Sequence, residues 1–300
     1  MPRHSPLPAA CFAALALAAA PPAFAATPID QTRPLAANGQ VEIDNLQGRI
    51  QVRAWNRNEV RVTGSLGKGV EKLVVEGDAR HLLVKAQYPH GPSVGAEPTT
   101  LLLQVPLQAS LDIDSVAADI DIDGVAPGDL QIDSVSGDIV VAAAPQRAHI
   151  ESVSGDQRLT LNSPRVGVES VSGDVVLNGR LKAEVAVETV SGDIRIDSRG
   201  EALRSLRISS TSGNADARVG LAPGGDVHAE TLSGDVRLVL PRTLSARVEA
   251  SSFSGDLEAP GAKVQKQEYG PGSSLEHRYG SGDGEVNLKT FSGDAELVFE

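Results

Sequence analysis

The sequence predicts an all-β fold: a single-stranded parallel β-solenoid (a β-helix), right-handed, built of coils of about 18–21 residues. Three observations predict it. The triplet Ser-Gly-Asp recurs through most of the chain, its copies are evenly spaced, and the residues on both sides of each copy alternate between apolar and polar. A fixed period of this size marks a stack of small units, none of which buries a core alone. Parallel strands joined by crossovers favour the right-handed turn.

The repeat is aligned on its glycines: Gly137, Gly155, Gly173, Gly192, Gly213, Gly234, Gly255 and Gly293. Successive gaps are 18, 18, 19, 21, 21, 21 and 38, the last read as two periods of 19. Ala118 in "DSVAADIDI" and Gly48 in "VEIDNLQGRIQV" extend the frame upstream. Seven and five residues before the glycine stand pairs such as Leu111 and Ile113, Val166 and Val168, Leu206 and Ile208; two and four after it stand Ile139 and Val141, Val175 and Leu177, Ile194 and Ile196. Alternation with period two on each side is the pattern of two half-buried strands joined by a corner. The phase slips by one residue between a Ser/Thr column (Ser134, Ser152, Ser170, Thr189) and the residue after it (Val135, Val153, Val171, Val190), as an extra residue at a bend requires. Gly137, Gly155, Gly173, Gly192, Gly234, Gly255 and Gly293 are therefore assigned to the turn, where backbone freedom is needed. The neighbouring Ser and Asp side chains are suited to hydrogen-bond corner backbone.

The remaining segments follow in order. Residues 1–25 read as a signal peptide, with Arg3 before an apolar run from Ala9 to Ala20 and an Ala-x-Ala cleavage site at Ala23 and Ala25. Residues 26–37 are Pro/Ala-rich and read as a loose leader or linker. Residues 38–110 contain strand-like runs without clear corners beyond Gly48 and read as irregular rungs or an N-terminal cap. Residues 111–300 are the repeat solenoid, broken by a loop insertion at about 259–285, which carries a polar-aromatic group at Tyr269, His277, Arg278 and Tyr279 that is the candidate binding loop.

Composition narrows the function. Net charge is −12, which excludes nucleic acid and disfavours anionic lipid. Cys11, the single cysteine, lies within the signal, so the exported chain has no disulfide. Aromatics make up 3 %, few for a sugar-binding cleft. No segment past residue 25 is apolar enough for a transmembrane helix. A membrane β-barrel would need lipid-facing apolar positions where this chain places Asp, Glu, Ser and Arg.

The chemistry-bearing residues come in columns. An aspartate follows each repeat glycine except Gly213, where Asn214 stands, and Asp138, Asp156, Asp174 and Asp193 are its calcium candidates, although no spacing matches a calcium loop or the glycine-rich calcium repeat. A second acidic column (Asp114, Asp133, Glu151, Glu169, Glu188) lies four residues before the glycine. Stacked carboxylates about 4.8 Å apart repel by roughly 0.9 kcal/mol per pair in water, which turn hydrogen bonds and Arg158, Arg195 and Arg237 would offset. Residues repeated in every copy are explained by the repetition, so no catalytic residue, cofactor or metal is assigned. His81, His90, His149, His228 and His277 show no metal spacing.

The opening "VEIDNLQGRIQVRAWNRNEVRVTG", the strand "LLLQVP" and the "SVSGDI" units together resemble a family of exported bacterial proteins called "putative adhesins", over roughly residues 38–300. The resemblance implies a parallel β-solenoid and carries no catalytic residues. The resulting expectation is a non-enzymatic exported cell-envelope protein, periplasmic, cell-surface or secreted. It would be an adhesin-like scaffold for an envelope polymer or protein; the alternative is a polysaccharide lyase or hydrolase on the same scaffold.

Overall fold

A computed structural model describes residues 27–89, 97–266 and 270–300. The signal segment and Tyr269 lie outside the described residues. Twenty-three strands form one continuous sheet, and no helix occurs among the described residues.

The stack is β-solenoid-like. Coils pair in parallel and in register, so that Ile132, Ile150, Val168, Val187 and Ile208 lie one above another. The inward positions identified from the alternation are buried on both sides of the corner, Ile139, Val175, Leu177 and Ile194 at 0 % exposure among them. Each Val, Leu or Ile buried in this way contributes about 1.5–3 kcal/mol. β-Branched residues and leucine suit the pleated half-buried surface. The Ser/Thr column is also inside, and several of its hydroxyls bind corner carbonyls: Ser152 Oγ donates to Ser154 O (3.3 Å), and Thr231 Oγ1 donates to Gly234 O (2.7 Å).

The corner explains its glycine. Gly173 has φ 121°, and a Cβ there would stand 2.3 Å from the carbonyl oxygen of Gly155 on the coil below. The other assigned turn glycines share the positive φ, except Gly255, which lies outside that region although its Cβ would still strike Gly293 O at 2.1 Å.

Both ends depart from sequence order, which corrects three expectations. The strand Gln40–Trp55 stacks directly on Ser110–Val125 (Gln40↔Ser110 to Arg53↔Asp123), while His81–Gln87 and Thr99–Pro106 cover its far side. Antiparallel strands then close the edge. The expected leader 26–37 is not loose over its described residues: Thr27–Pro34 pairs with Glu59–Leu66, because Ile29 and Leu35 are buried and Arg61 grips Asp30 through two contacts of 3.1 and 3.0 Å.

At the other end the 38-residue gap is not two consecutive coils. The final coil, Gly284–Phe299, inserts between the coil of Gly234 and that of Gly255, pairing with both. Over its described residues the insertion at 259–285 is not a free loop either. Its strand Ser273–Tyr279 runs antiparallel along Ala246–Ser254 and carries the short strand Val264–Lys266. An exposed parallel edge would template another chain, and antiparallel strands at both ends cover it.

Candidate functional site

The strand before each corner turns two alternate columns outward. Four residues before the glycine stand the carboxylates; two before it stand Val116, Val135, Val153, Val171 and Val190. The strand bends at the phase slip, since Ser152 pairs with Ser170 and Ser154 with Ser172 while the residue between is skipped. Between the two columns lies an open groove of about 630 Å³, running from Asp44 to Thr211 with the buried Ser/Thr residues as its floor.

One wall of this groove is unusual. The five valines are 45–50 % exposed, and the column continues through Thr211, Leu232, Phe291 and Phe253. Phe253 and Phe291, on neighbouring coils, stack with centroids 4.8 Å apart and planes 5° from parallel. Scattered exposed apolar residues are normal on a protein surface, but a continuous file of them is not.

The opposite wall is acidic and little compensated. Asp44 pairs with Lys85 (2.5 Å), whose ammonium that carboxylate holds above its ordinary pKa, and Glu151 pairs with His149 (2.7 Å). Asp114, Asp133, Glu169 and Glu188 have no ion-pair partner among the described residues. Burial, with Asp112, Asp133, Asp44 and Glu42 adding repulsion, pushes the Asp114 carboxyl above the usual range.

The aspartate column that follows the glycine has a different role. Oδ1 of each aspartate accepts from the backbone N–H of the next: Asp156 N to Asp138 (3.1 Å), Asp174 N to Asp156 (3.2 Å), Asp193 N to Asp174 (3.0 Å). The ladder continues through Asn214, whose amide oxygen accepts from Asp235 N at 2.9 Å. The calcium candidates Asp138, Asp156, Asp174 and Asp193 thus each commit one oxygen to holding coils together. Arg158 and Arg195 pair with Asp156 and Asp193 at 3.1 Å as expected, whereas Arg237 turns to Glu296 (3.3 Å) rather than to the ladder.

Stacking also joins residues that the sequence keeps apart. One donor atom each from His149, Glu151 and Glu169 lies within 4.8 Å of the others. Gly167, opposite His149, leaves room for its ring: a Cβ there would come within 3.0 Å of Nδ1. The expectation of scattered histidines is corrected at this one point, because register rather than linear spacing sets the distance. A closed structural zinc site takes four ligands, and these three are exposed or half-exposed. In the candidate binding loop, Tyr279 serves the cap: its hydroxyl donates to Pro260 O (2.7 Å) and its ring meets the edges of His277 and Phe299. Arg278 faces solvent.

Comparison with known proteins places this architecture. The family described as Toastrack DUF4097 matches residues 38–297. The chain belongs to the Toastrack DUF4097 family. Similar solved structures include a "putative adhesin" from Parabacteroides distasonis (13 % identity, TM-score 0.47, covering 91 % of this chain and 98 % of that one). Another is a "putative adhesin" from Bacteroides fragilis (12 %, 0.42, 91 % and 97 %). A "putative lipid binding protein" from P. distasonis is also similar (11 %, 0.33, 91 % and 97 %). At these values the likeness says nothing about ligand or activity. No curated protein matches the Toastrack chain. Among the described residues no helix is long and apolar enough to cross a membrane.

The outward apolar column is the feature that sequence reading missed. Its residues were visible in every copy, and a signal was present: the fold needs no apolar side chain at a position that faces water.

Proposed function

We propose that this Toastrack protein is a non-enzymatic, exported cell-envelope scaffold of the adhesin kind, and that the groove beside its exposed valine column binds a surface polymer or another protein. Export is supported by the apolar run Ala9–Ala20 with its Ala-x-Ala site. The observation that carries binding is the run of five half-exposed valines on successive coils, Val116 to Val190. The groove's carboxylates repeat from coil to coil, so none is set apart as the acid or base of a hydrolase. The test is binding of the labelled chain to isolated bacterial envelopes, compared with a V135T/V153T/V171T variant. Thr211 already occupies the same column, so the variant keeps the fold. The expected result is loss of most binding; equal binding by the variant refutes the groove as the contact surface.

A further inference from the structure

The groove is long, one-sided in polarity and strongly charged, and these properties together select a partner. Resting on the scaffold reading above, we infer that the valine column and its acidic flank dock a cationic amphipathic α-helix lying along the axis of the stack.

Charge chooses the sign. Asp114, Asp133, Glu169 and Glu188 line the groove with no ion pair among the described residues, His149 beside Glu169 being the nearest basic group to that carboxylate, on a chain of net charge −12. Three residues beyond the valines, across the corner, runs the aspartate ladder, only part of which is paired with arginine. The apolar file therefore lies between two carboxylate columns. A second copy would bring acid against acid, and an anionic bilayer would be repelled. A helix with apolar residues on one face and Lys or Arg at its margins places each group against its complement.

Spacing chooses the conformation. Coils repeat at about 4.8 Å, so the column offers an apolar side chain at that interval. An extended strand laid along the axis presents same-face side chains every ~6.6–6.8 Å and falls out of step after one coil. Polyproline II repeats every ~9.3 Å, close to two coils, and so meets only every second valine and leaves the alternate ones uncovered. An α-helix brings its apolar face round every ~5.4 Å, a mismatch of about 0.6 Å per coil. It stays within half a coil for about four turns, which corresponds to roughly 14 residues over the five valines.

The probe is a synthetic 14-residue peptide of Leu and Lys with Leu at amphipathic helix spacing, and its control is the same peptide with Glu for Lys. Affinity for the purified full chain is read by fluorescence anisotropy at about 50 mM and about 300 mM salt, where screening differs substantially. The Leu/Lys peptide is expected to bind and to gain helical circular dichroism. Its affinity should fall about tenfold or more with V135T/V153T/V171T and about tenfold at the higher salt, and the Leu/Glu peptide should not bind. The inference is overturned by no binding of Leu/Lys, by equal binding to the variant, or by a bound peptide that stays non-helical. It is equally overturned if the valines instead hold a second copy, seen as a dimer in sedimentation that the variant abolishes, or anionic vesicles that the variant no longer binds. If the peptide fails while envelope binding still depends on the valines, the partner class is wrong and the scaffold reading stands; if envelope binding is independent of them, both fall.

Discussion

Replacing Asp174 separates a structural ladder from a site. Its Oδ1 accepts from Asp193 N–H at 3.0 Å, while its own N–H donates to Asp156 Oδ1 at 3.2 Å. In Asp174→Ala the Asp193 N–H loses its acceptor in a partly buried corner, and a lost hydrogen bond of that kind costs about 1–2 kcal/mol. In Asp174→Asn the acceptor oxygen remains. Relief of repulsion from the neighbouring carboxylates, about 0.9 kcal/mol each before screening, is then partly cancelled by the lost attraction of Arg195, 3.9 Å away. The net change should lie within about 0.5 kcal/mol. Asn214 already occupies a rung of the same ladder, with its oxygen in the same role. Urea unfolding followed by circular dichroism gives the two stabilities, and hydrogen exchange of the Asp193 amide reports the bond itself. Equal losses in both variants would mean that charge matters and the acceptor does not, which is the behaviour of a cation ladder. In that case millimolar calcium would also raise the wild-type melting temperature substantially.

Three other outcomes follow from the packing. Gly173→Ala should cost at least about 2 kcal/mol, since φ is 121° and the new Cβ meets backbone at 2.3 Å; Gly167→Ala, which meets only the movable His149 ring at 3.0 Å, should stay within about 0.5 kcal/mol, and comparable denaturation midpoints would contradict the assigned corner. Gln157 sits fully buried between Ile139 and Val175 with neither amide atom bonded, so Gln157→Leu should stabilise by about 1–3 kcal/mol, and a lower melting temperature would show that the amide is held by something the packing does not reveal. The raised carboxyl of Asp114 means that the folded state takes up its proton more readily than the unfolded chain, so its contribution is favourable below the unfolded pKa of about 3.9 and is lost as pH rises through the folded value; Asp114→Asn should therefore melt higher than wild type at pH 7, with the gap closing towards pH 3, and a gap independent of pH would refute this.

The middle of the molecule was legible because one rule is applied there repeatedly. Alternation fixed which of Ile132, Val168 or Ile208 faces inward, and the slip after Ser152 or Ser170 located the bend. The ends were not legible, because stacking order is a long-range choice that no local pattern encodes. Gln40–Trp55 finds its neighbour at Ser110–Val125, and Gly284–Phe299 enters between two earlier coils although the glycine spacing fits a simple continuation just as well. Thr27–Pro34 looked like a leader through its two prolines, yet an edge strand tolerates proline. Tyr279 and His277 looked like a binding tip because aromatic and basic residues were read without the strand that pins them. The aspartate column was recognised as a turn device, but the bond it makes runs to the next coil rather than within its own turn.

In a molecule of this kind the site need not be an exception to the repeat. A repeated residue that faces inward or bonds the next coil is explained by folding: the isoleucines fill the core, the glycines admit the neighbouring backbone, and the aspartates tie coil to coil. The column of Val116, Val135, Val153, Val171 and Val190 does none of these, since it is about half exposed and Thr211 fills the same place without disturbing the register. Leaving apolar area in water along the whole stack carries a solubility cost, which the adjoining carboxylates and the net charge of −12 help to offset. The column is thus unexplained by the fold and yet maintained through the chain's own period. A surface with that property is matched by a partner that is itself periodic, which makes a helical ligand spanning several coils a better fit than a small molecule held at one.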